Sequence, residues 1–280
     1  MIDINLIREQ PEMVKAAMAA LNTEAPIDQI LALDARRREL LTEVEALRAE
    51  RNTASKEISR TRDPGERQAR IEAMRLVGDR IKALEEDLKA VESELDEAML
   101  WVPNLPHPSV PVGPDDGANM IVRMEGEPRA FDFEPVPHWD LGPALGILDF
   151  ERGVKLSGTR FYVLRGLGAR LQRALVTWML DVHREQGYTE IYPPYMVRRE
   201  MMVGAAQLPK FVENIYYDAE EDFWFIGTGE IPLTNLHRDE ILPAEALPLW
   251  YVSYTACFRR EKMSAGRDVR GMKRGHQFDK

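Results

Sequence analysis

An α+β fold is what this sequence predicts: a long N-terminal antiparallel two-helix coiled coil, then an antiparallel sheet domain. Three observations carry that expectation. Apolar residues repeat at 3,4 spacing through two long stretches on either side of one turn signal. A proline-dense segment follows that suits neither helix nor interior strand. Beyond it the pattern shortens to β-rich runs without regular helical crossovers, which favours an antiparallel sheet over a doubly wound one. The expected division is a helical arm over residues 1–102, with its coiled coil at about 27–102, a linker over 103–118 and a sheet domain over 119–280.

Residues 3–21 read as a short helix, capped by Asp3 and interrupted at Pro11. The first seam is Ile30, Leu33, Leu40, Val44, Leu47, Ala54 and Ile58, with Arg37 and Arg51 in the two places where an apolar residue is missing. Asp63-Pro64-Gly65 supplies the turn, proline fixing one backbone angle and glycine freeing another. The second seam, Met74, Val77, Ile81, Leu84, Leu88, Val91, Leu95, Ala98 and Val102, runs without a miss. At about 1.5 Å per residue, helices of roughly 34 residues project about 50 Å. Heptads alone suit a dimerisation or spacer coiled coil just as well. Residues 51–70 carry Arg51, Lys56, Arg60, Arg62, Arg67 and Arg70 against Glu57, Asp63 and Glu66, a net of +3. That tip suits a polyanion, and equally a solvated surface with ion pairs.

Prolines 103, 106, 108, 111 and 114 mark the linker. From about Asn119 short β-rich runs are expected, with a strand at 161–164 and a helix presenting Leu167, Leu171, Ala174, Trp178 and Val182 on one face. A strand at 190–192, a hairpin of 214–217 with 223–226 about the turn 218–222, and a strand over 249–258 complete the body.

Composition removes several function classes. A hydrophobic fraction of 44% beside 30% charged residues excludes wholesale disorder. The 37 basic and 47 acidic side chains leave a net charge of −10, which argues against uniform coating of nucleic acid but permits a local basic patch. Cys257 is the single cysteine, and five scattered histidines lack paired spacing, so neither an internal disulfide nor a zinc site is expected. No basic-then-apolar leader and no run of about 18 apolar residues occurs, so a cytoplasmic protein outside the membrane is expected.

Gly166-Leu167-Gly168 meets half of a dinucleotide fingerprint, but Leu171 replaces the third glycine, and close helix packing explains the pair better. No glycine-rich loop ends in Gly-Lys-Ser or Gly-Lys-Thr. The last 22 residues differ: eight basic side chains against Glu261, Asp268 and Asp279 give +5. Arginines at a strand end can clamp phosphate oxygens with two parallel hydrogen bonds, and Phe278 offers a face for a base. A surface hairpin with a basic turn is the plainer alternative.

Cys257-Phe258-Arg259-Arg260-Glu261, then Gly266 to Gly271, then Arg274-Gly275-His276-Gln277-Phe278 resembles motif 2 (about 255–280) of class II aminoacyl-tRNA synthetases, in its seryl version. Gly187-Tyr188 through Ile191 to Pro194 resembles motif 1 (about 187–197), and Thr228-Gly229-Glu230 resembles the serine-recognising segment. The hairpin and its Pro-Asn-Leu-Pro-His exit resemble the seryl-tRNA synthetase arm. The resemblance implies a class II synthetase-type sheet and a serine–tRNA ligase: ATP-dependent formation of seryl-adenylate, helped by Mg2+, then transfer to tRNA(Ser), with tRNA(Sec) as a further acceptor. It implies that Arg259 contacts the α-phosphate and the serine carboxylate. Arg260, Glu261, Arg274, Gly275 and Phe278 would hold ATP, with Arg259, Glu261 and Arg274 as the catalytic set. Thr228, Gly229 and Glu230 would bind L-serine. Arg51, Lys56 and Arg60 would meet the long variable arm of the tRNA, and Lys262 and Arg267 its acceptor end. Motif 1 would build a homodimer.

Arg260 stands where the family commonly has a small residue, and Gly275 where it has a branched apolar one. Motif 3 is absent from these 280 residues, so the chain as written is expected to be inactive in serine activation. A tRNA-binding fragment and a structural coiled-coil dimer remain the alternatives.

Overall fold

The computed structural model describes residues 2–262 and 270–280. Contacts divide the chain into Met1–Glu125 and Gly126–Lys280.

In the first unit, α1 (Ile4–Glu9) is capped by Asp3, whose side chain accepts from the Asn5 amide at 2.9 Å. The expected interruption at Pro11 is present: the helical stretch breaks at Gln10, and Pro11 opens α2 (Pro11–Ala20), where its missing N–H costs nothing. The coiled coil is α3 (Ile27–Arg60) and α4 (Pro64–Met99). Every apolar seam residue read from the sequence is buried or half-buried, with Leu40, Val44 and Leu84 packed together in the arm. Ion pairs Arg48–Glu85 (2.7 Å) and Arg80–Glu43 (2.9 Å) cross between the helices. At the base, Ile7, Val14 and Met18 close over Ile27, Ile30, Leu95 and Met99. The turn differs in detail from expectation. Asp63 is the N-cap of α4, accepting from the Glu66 amide at 2.7 Å, while Pro64 and Gly65 are already helical. The reversal is therefore made by residues 61–63, and Gly65 needs no left-handed angle.

Sequence reading missed Asp34. It lies beside the seam yet is 1% exposed, because Arg8 of α1 bonds it through Nε (2.8 Å) and Nη2 (3.0 Å). Arg37, the seam's first polar insertion, reaches the same carboxylate at 3.4 Å, and Arg38 at 3.1 Å. The carboxyl is held below its ordinary value, chiefly by the Arg8 hydrogen bonds.

The β-rich runs expected from about Asn119 start later in the second unit: residues 119–137 form no helix or strand. Then come α5 (His138–Ala144), β1 (Leu148–Asp149), α6 (Phe150–Ser157), β2 (Val163–Leu164), α7 (Leu167–Glu185) and β3 (Thr189–Glu190). They are followed by β4 (Met196–Arg198), α8 (Arg199–Gly204), β5 (Tyr217–Asp218), β6 (Phe223–Phe225), α9 (Glu230–Thr234), β7 (Tyr251–Val252), β8 (Ala256–Phe258) and β9 (Gln277–Asp279). Pairings β1–β2, β4–β6–β5 and β8–β9 are antiparallel, as expected, but β3 and β7 pair in parallel. The segment between β3 and β7 contains β4, α8, the β5–β6 hairpin and α9, long enough for the crossover a parallel pair requires. The strand expected at 249–258 is split into β7 and β8 at Ser253-Tyr254-Thr255. Trp224, Ile226, Ile231 and Met202 form the core beside β4–β6–β5, and the Phe258 amide donates to Ile226 O at 2.8 Å, joining β8 to the chain just past β6.

Gly166 has φ +51° and starts α7; a Cβ on Gly168 would stand 2.6 Å from Ile147 O. The glycine pair thus serves close helix packing. The apolar face of α7 is amphipathic as expected, yet Leu171 is 58% and Trp178 61% exposed.

Candidate nucleotide and amino-acid site

The site is built on the β8–β9 ladder, where Cys257 faces Phe278 and Phe258 faces Gln277. Ladder bonds continue past β8, with the Arg259 amide on His276 O at 2.9 Å. Arg259 and Glu261 turn their side chains to one side and Arg260 to the other. Arg259, Glu261, Met272, Lys273, Arg274, Gly275 and Phe278 line a cleft of about 570 Å3. Arg274 pairs with Glu261 at 3.6 Å, and the Arg259 guanidinium lies 5.0 Å from the centre of the Phe278 ring. A Cβ on Gly275 would come 3.0 Å from Gln277 O and 3.3 Å from the Tyr162 ring, so a branched residue there requires Tyr162 to shift.

Arg259 also donates through Nε to Gly227 O at 2.9 Å, and with Gly227, Asn214 and Gln207 it lines a second pocket of about 240 Å3. One guanidinium thus borders both cavities. Gly227 leads into Thr228-Gly229-Glu230, where the Thr228 hydroxyl and the Glu230 carboxylate are hydrogen-bonded to each other. Lys280 places Nζ 2.6 Å from Thr228 Oγ1 and 2.5 Å from Glu230 Oε1. The bond from Lys280, then that from Thr228, hold the Glu230 carboxyl down at about 2. This corner therefore accepts a primary ammonium group. Gly229 packs on buried Thr255: a Cβ there would stand 2.9 Å from Thr255 Oγ1.

Arg260 is not brought into the cleft. Its amide donates to Asn214 O at 2.9 Å, its guanidinium lies 5.1 Å from the Tyr216 ring centre, and its buried Nε has no hydrogen-bond partner among the described residues. Lys262 is exposed at the start of the loop, its amide held by Asn214 Oδ1 at 3.1 Å; Arg267, with Ser264 and Gly266, lies outside the described residues. Arg51, Lys56 and Arg60 are exposed on the outer half of α3. Arg70 is tied to Glu57 (2.7 Å) and Glu66 (2.9 Å), so its share of the tip charge is locally matched.

Reasoning from sequence missed Arg160, which braces the ladder's base. Its Nη1 donates to Glu261 O at 3.1 Å, and its own carbonyl accepts from the His276 amide at 3.3 Å. Both Arg160 and Glu261 adopt left-handed backbone angles, φ +64° and +51°, which a non-glycine residue adopts only where its surroundings hold it. Asn214, Gly227 and Lys280 were missed as well. Among the described residues no group of three His, Cys, Asp or Glu side chains could hold a metal, and no helix is long and apolar enough to cross a membrane.

Comparison with known proteins agrees with this geometry. Residues 1–106 match the seryl-tRNA synthetase N-terminal domain, and residues 212–280 the tRNA synthetase class II core domain (G, H, P, S and T). All of the chain aligns with the serine–tRNA ligases of Roseiflexus castenholzii, at 62% identity over 66% of that protein, and Thermomicrobium roseum, at 58% over 63%. It thus spans about two thirds of the length of the curated relatives it matches. The seryl-tRNA synthetase of Pyrococcus horikoshii, solved with ATP, superposes over all of this chain and 68% of its own, with a TM-score of 0.89 and 37% identity. The cytoplasmic serine-tRNA ligase of Naegleria fowleri, solved with AMP, does so over 65% of its own length, at 0.81 and 30%. A heptad arm, a β8–β9 ladder running on to Arg259 and a Thr-Gly-Glu corner that holds the Lys280 ammonium thus occur together in a chain that belongs to the seryl-tRNA synthetase family.

Proposed function

We propose that the protein is a serine–tRNA ligase, activating L-serine with ATP and passing it to tRNA(Ser), with tRNA(Sec) as a further acceptor. The observation that carries the proposal is Arg259 bordering both cavities. ATP occupies the larger cleft with adenine on Phe278, its edge read by the Gly275 backbone, and its phosphates near Arg274 and Glu261. Serine enters from the smaller pocket, its ammonium on Thr228 and Glu230 where Lys280 Nζ now sits. Arg259 then lies between the serine carboxylate and the α-phosphate, able to bind both by its planar fork.

A serine carboxylate oxygen attacks the α-phosphorus in line; the bond to the bridging oxygen breaks and pyrophosphate leaves. The ribose hydroxyl of the tRNA end then attacks the carbonyl carbon and AMP leaves. Positioning and charge stabilisation supply the rate, and no enzyme-bound covalent intermediate is needed. Among the described residues the cleft lining carries one carboxylate, Glu261, which would help to hold a Mg2+ ion brought in on the phosphates. When bound, that ion neutralises charge building on the phosphate oxygens.

The exposed tip carries Arg51, Lys56 and Arg60 to the long variable arm of the tRNA, and Lys262 meets its acceptor end. The exposed apolar face of α7, the helix that leads into motif 1, supports a homodimer there, and a cytoplasmic location fits a translation enzyme. The test is serine-dependent exchange of labelled pyrophosphate into ATP by the protein as its cell makes it. Exchange with serine and none with alanine is expected, since a polar corner penalises a substrate lacking the hydroxyl. Equal exchange with alanine, or none with serine, would refute the proposal.

A further inference from the structure

We propose that His138 and Trp139, at the start of α5, are positioning residues for the nucleotide cleft: they fix the limb by which the motif 2 loop returns to β9. The inference rests on the synthetase reading for its kinetic consequence, but its geometry stands alone. The incoming limb is held at Glu261 O by Arg160 and at the Lys262 amide by Asn214. Among the described residues, the return limb has an anchor of its own in a contact distant in sequence. The Met272 amide donates to His138 Nε2 at 2.9 Å.

Gly271 makes that bond possible. It adopts φ +69°, and a Cβ on it would fall 2.0 Å from His138 Nε2, so the imidazole occupies the space a side chain would need. Trp139 stands edge-on to His138, their ring centres 5.1 Å apart. The Arg270 guanidinium lies 5.9 Å and the Lys273 ammonium 5.4 Å from the Trp139 ring centre. Two cations on either side of Gly271-Met272 thus lie against one half-buried aromatic ring from exposed positions, which adds a directional contact to the hydrogen bond. Met272, Lys273 and Arg274 then form one wall of the cleft, so a shift at Met272 carries Arg274 away from Glu261 and from the phosphates it would meet. An imidazole that accepts at Nε2 carries its proton on Nδ1, which makes His138 an acceptor toward the loop.

The test compares His138→Ala, His138→Gln and Trp139→Leu with the unmodified protein as its cell makes it. With His138→Ala, KM for ATP in pyrophosphate exchange should rise roughly five- to tenfold, the worth of one part-buried hydrogen bond, while KM for serine stays unchanged. The glutamine amide oxygen reaches close to where Nε2 sits, so His138→Gln should restore the ATP value. Trp139→Leu should act in the same direction as His138→Ala. A general packing role would move both KM values together and would not be rescued by glutamine. Independently of activity, hydrogen exchange over residues 270–276 should quicken by about the same factor in His138→Ala, with the rest of the chain unchanged. Unchanged exchange in that segment overturns the inference, as does a serine KM that moves with the ATP KM. If the unmodified protein shows no serine-dependent exchange, the synthetase reading falls, and the hydrogen-exchange comparison alone decides the brace.

Discussion

Replacing Asp34 by asparagine keeps the size of the side chain and removes its charge from a site where that charge is 2% exposed. Four N–H groups converge on it: two from Arg8 at 2.8 and 3.0 Å, one from Arg38 at 3.1 Å and one from Arg37 at 3.4 Å. The guanidinium side chains are 32%, 53% and 29% exposed, so each can be rehydrated when the carboxylate is lost. The full penalty for stranding a buried charge therefore does not apply. Bonds to Arg37 and Arg38 within α3 are worth tenths of a kcal/mol. What remains is the charge-assisted bidentate contact that ties α1 to α3, so removing the Asp34 charge should cost about 2 kcal/mol. With a urea m-value of about 2 kcal/mol/M, the midpoint of helix loss followed by circular dichroism should fall by about 1 M. The pH dependence separates this cause from mere repacking. The folded carboxyl lies below its ordinary value, so its stabilisation is complete above the unfolded value of about 3.9 and is lost as pH falls through the folded one. The gap between the two proteins should be full at neutral pH and close on acidification. Equal midpoints at neutral pH, or a gap that stays as wide in acid, would refute the assignment.

Other outcomes follow from the site and the arm. Glu230→Gln should raise KM for serine about tenfold with KM for ATP unchanged, a charge-assisted bond discounted because the side chain is 61% exposed; steady-state pyrophosphate exchange reads both. Charge reversal at Arg51 and Arg60 together should weaken tRNA(Ser) binding and lower the slope of log affinity against log salt by about 2, measured by filter binding over a salt series. Cys257 is fully buried and its thiol pKa is pushed up by burial, so it should resist a thiol-specific dye until denaturant is added; stoichiometric labelling of the native chain would contradict its placement behind Phe278.

What could be read from the chain alone depended on how far apart the interacting residues lie. The arm was legible because Leu40, Val44, Leu84 and Leu88 declare a helical face by local spacing, and two such faces joined by a short turn have little choice but to meet. The 223–225 strand and its hairpin were legible for the same reason, with the partner strand only a turn away. Asp34 was not legible, since its burial is conferred by Arg8, on a helix separated from it by a further helix and a loop. Nor was the parallel β3–β7 pair, because strand propensity carries no information about a partner some sixty residues on.

The site divides along the same line. Arg259, Glu261, Arg274 and Phe278 stand out as a basic and aromatic run on a single hairpin, while the residues that aim them do not. Arg160 is 101 positions from the carbonyl it bonds, and His138 is 134 from the amide it accepts. Each of these looks like an ordinary polar residue in its own neighbourhood, and each reaches the backbone beside the cleft only because the fold brings a distant loop against it. Groups that touch the substrate need a particular chemistry and so leave a local mark in the sequence. Groups that place them need only the right position, which the fold supplies and the sequence does not display.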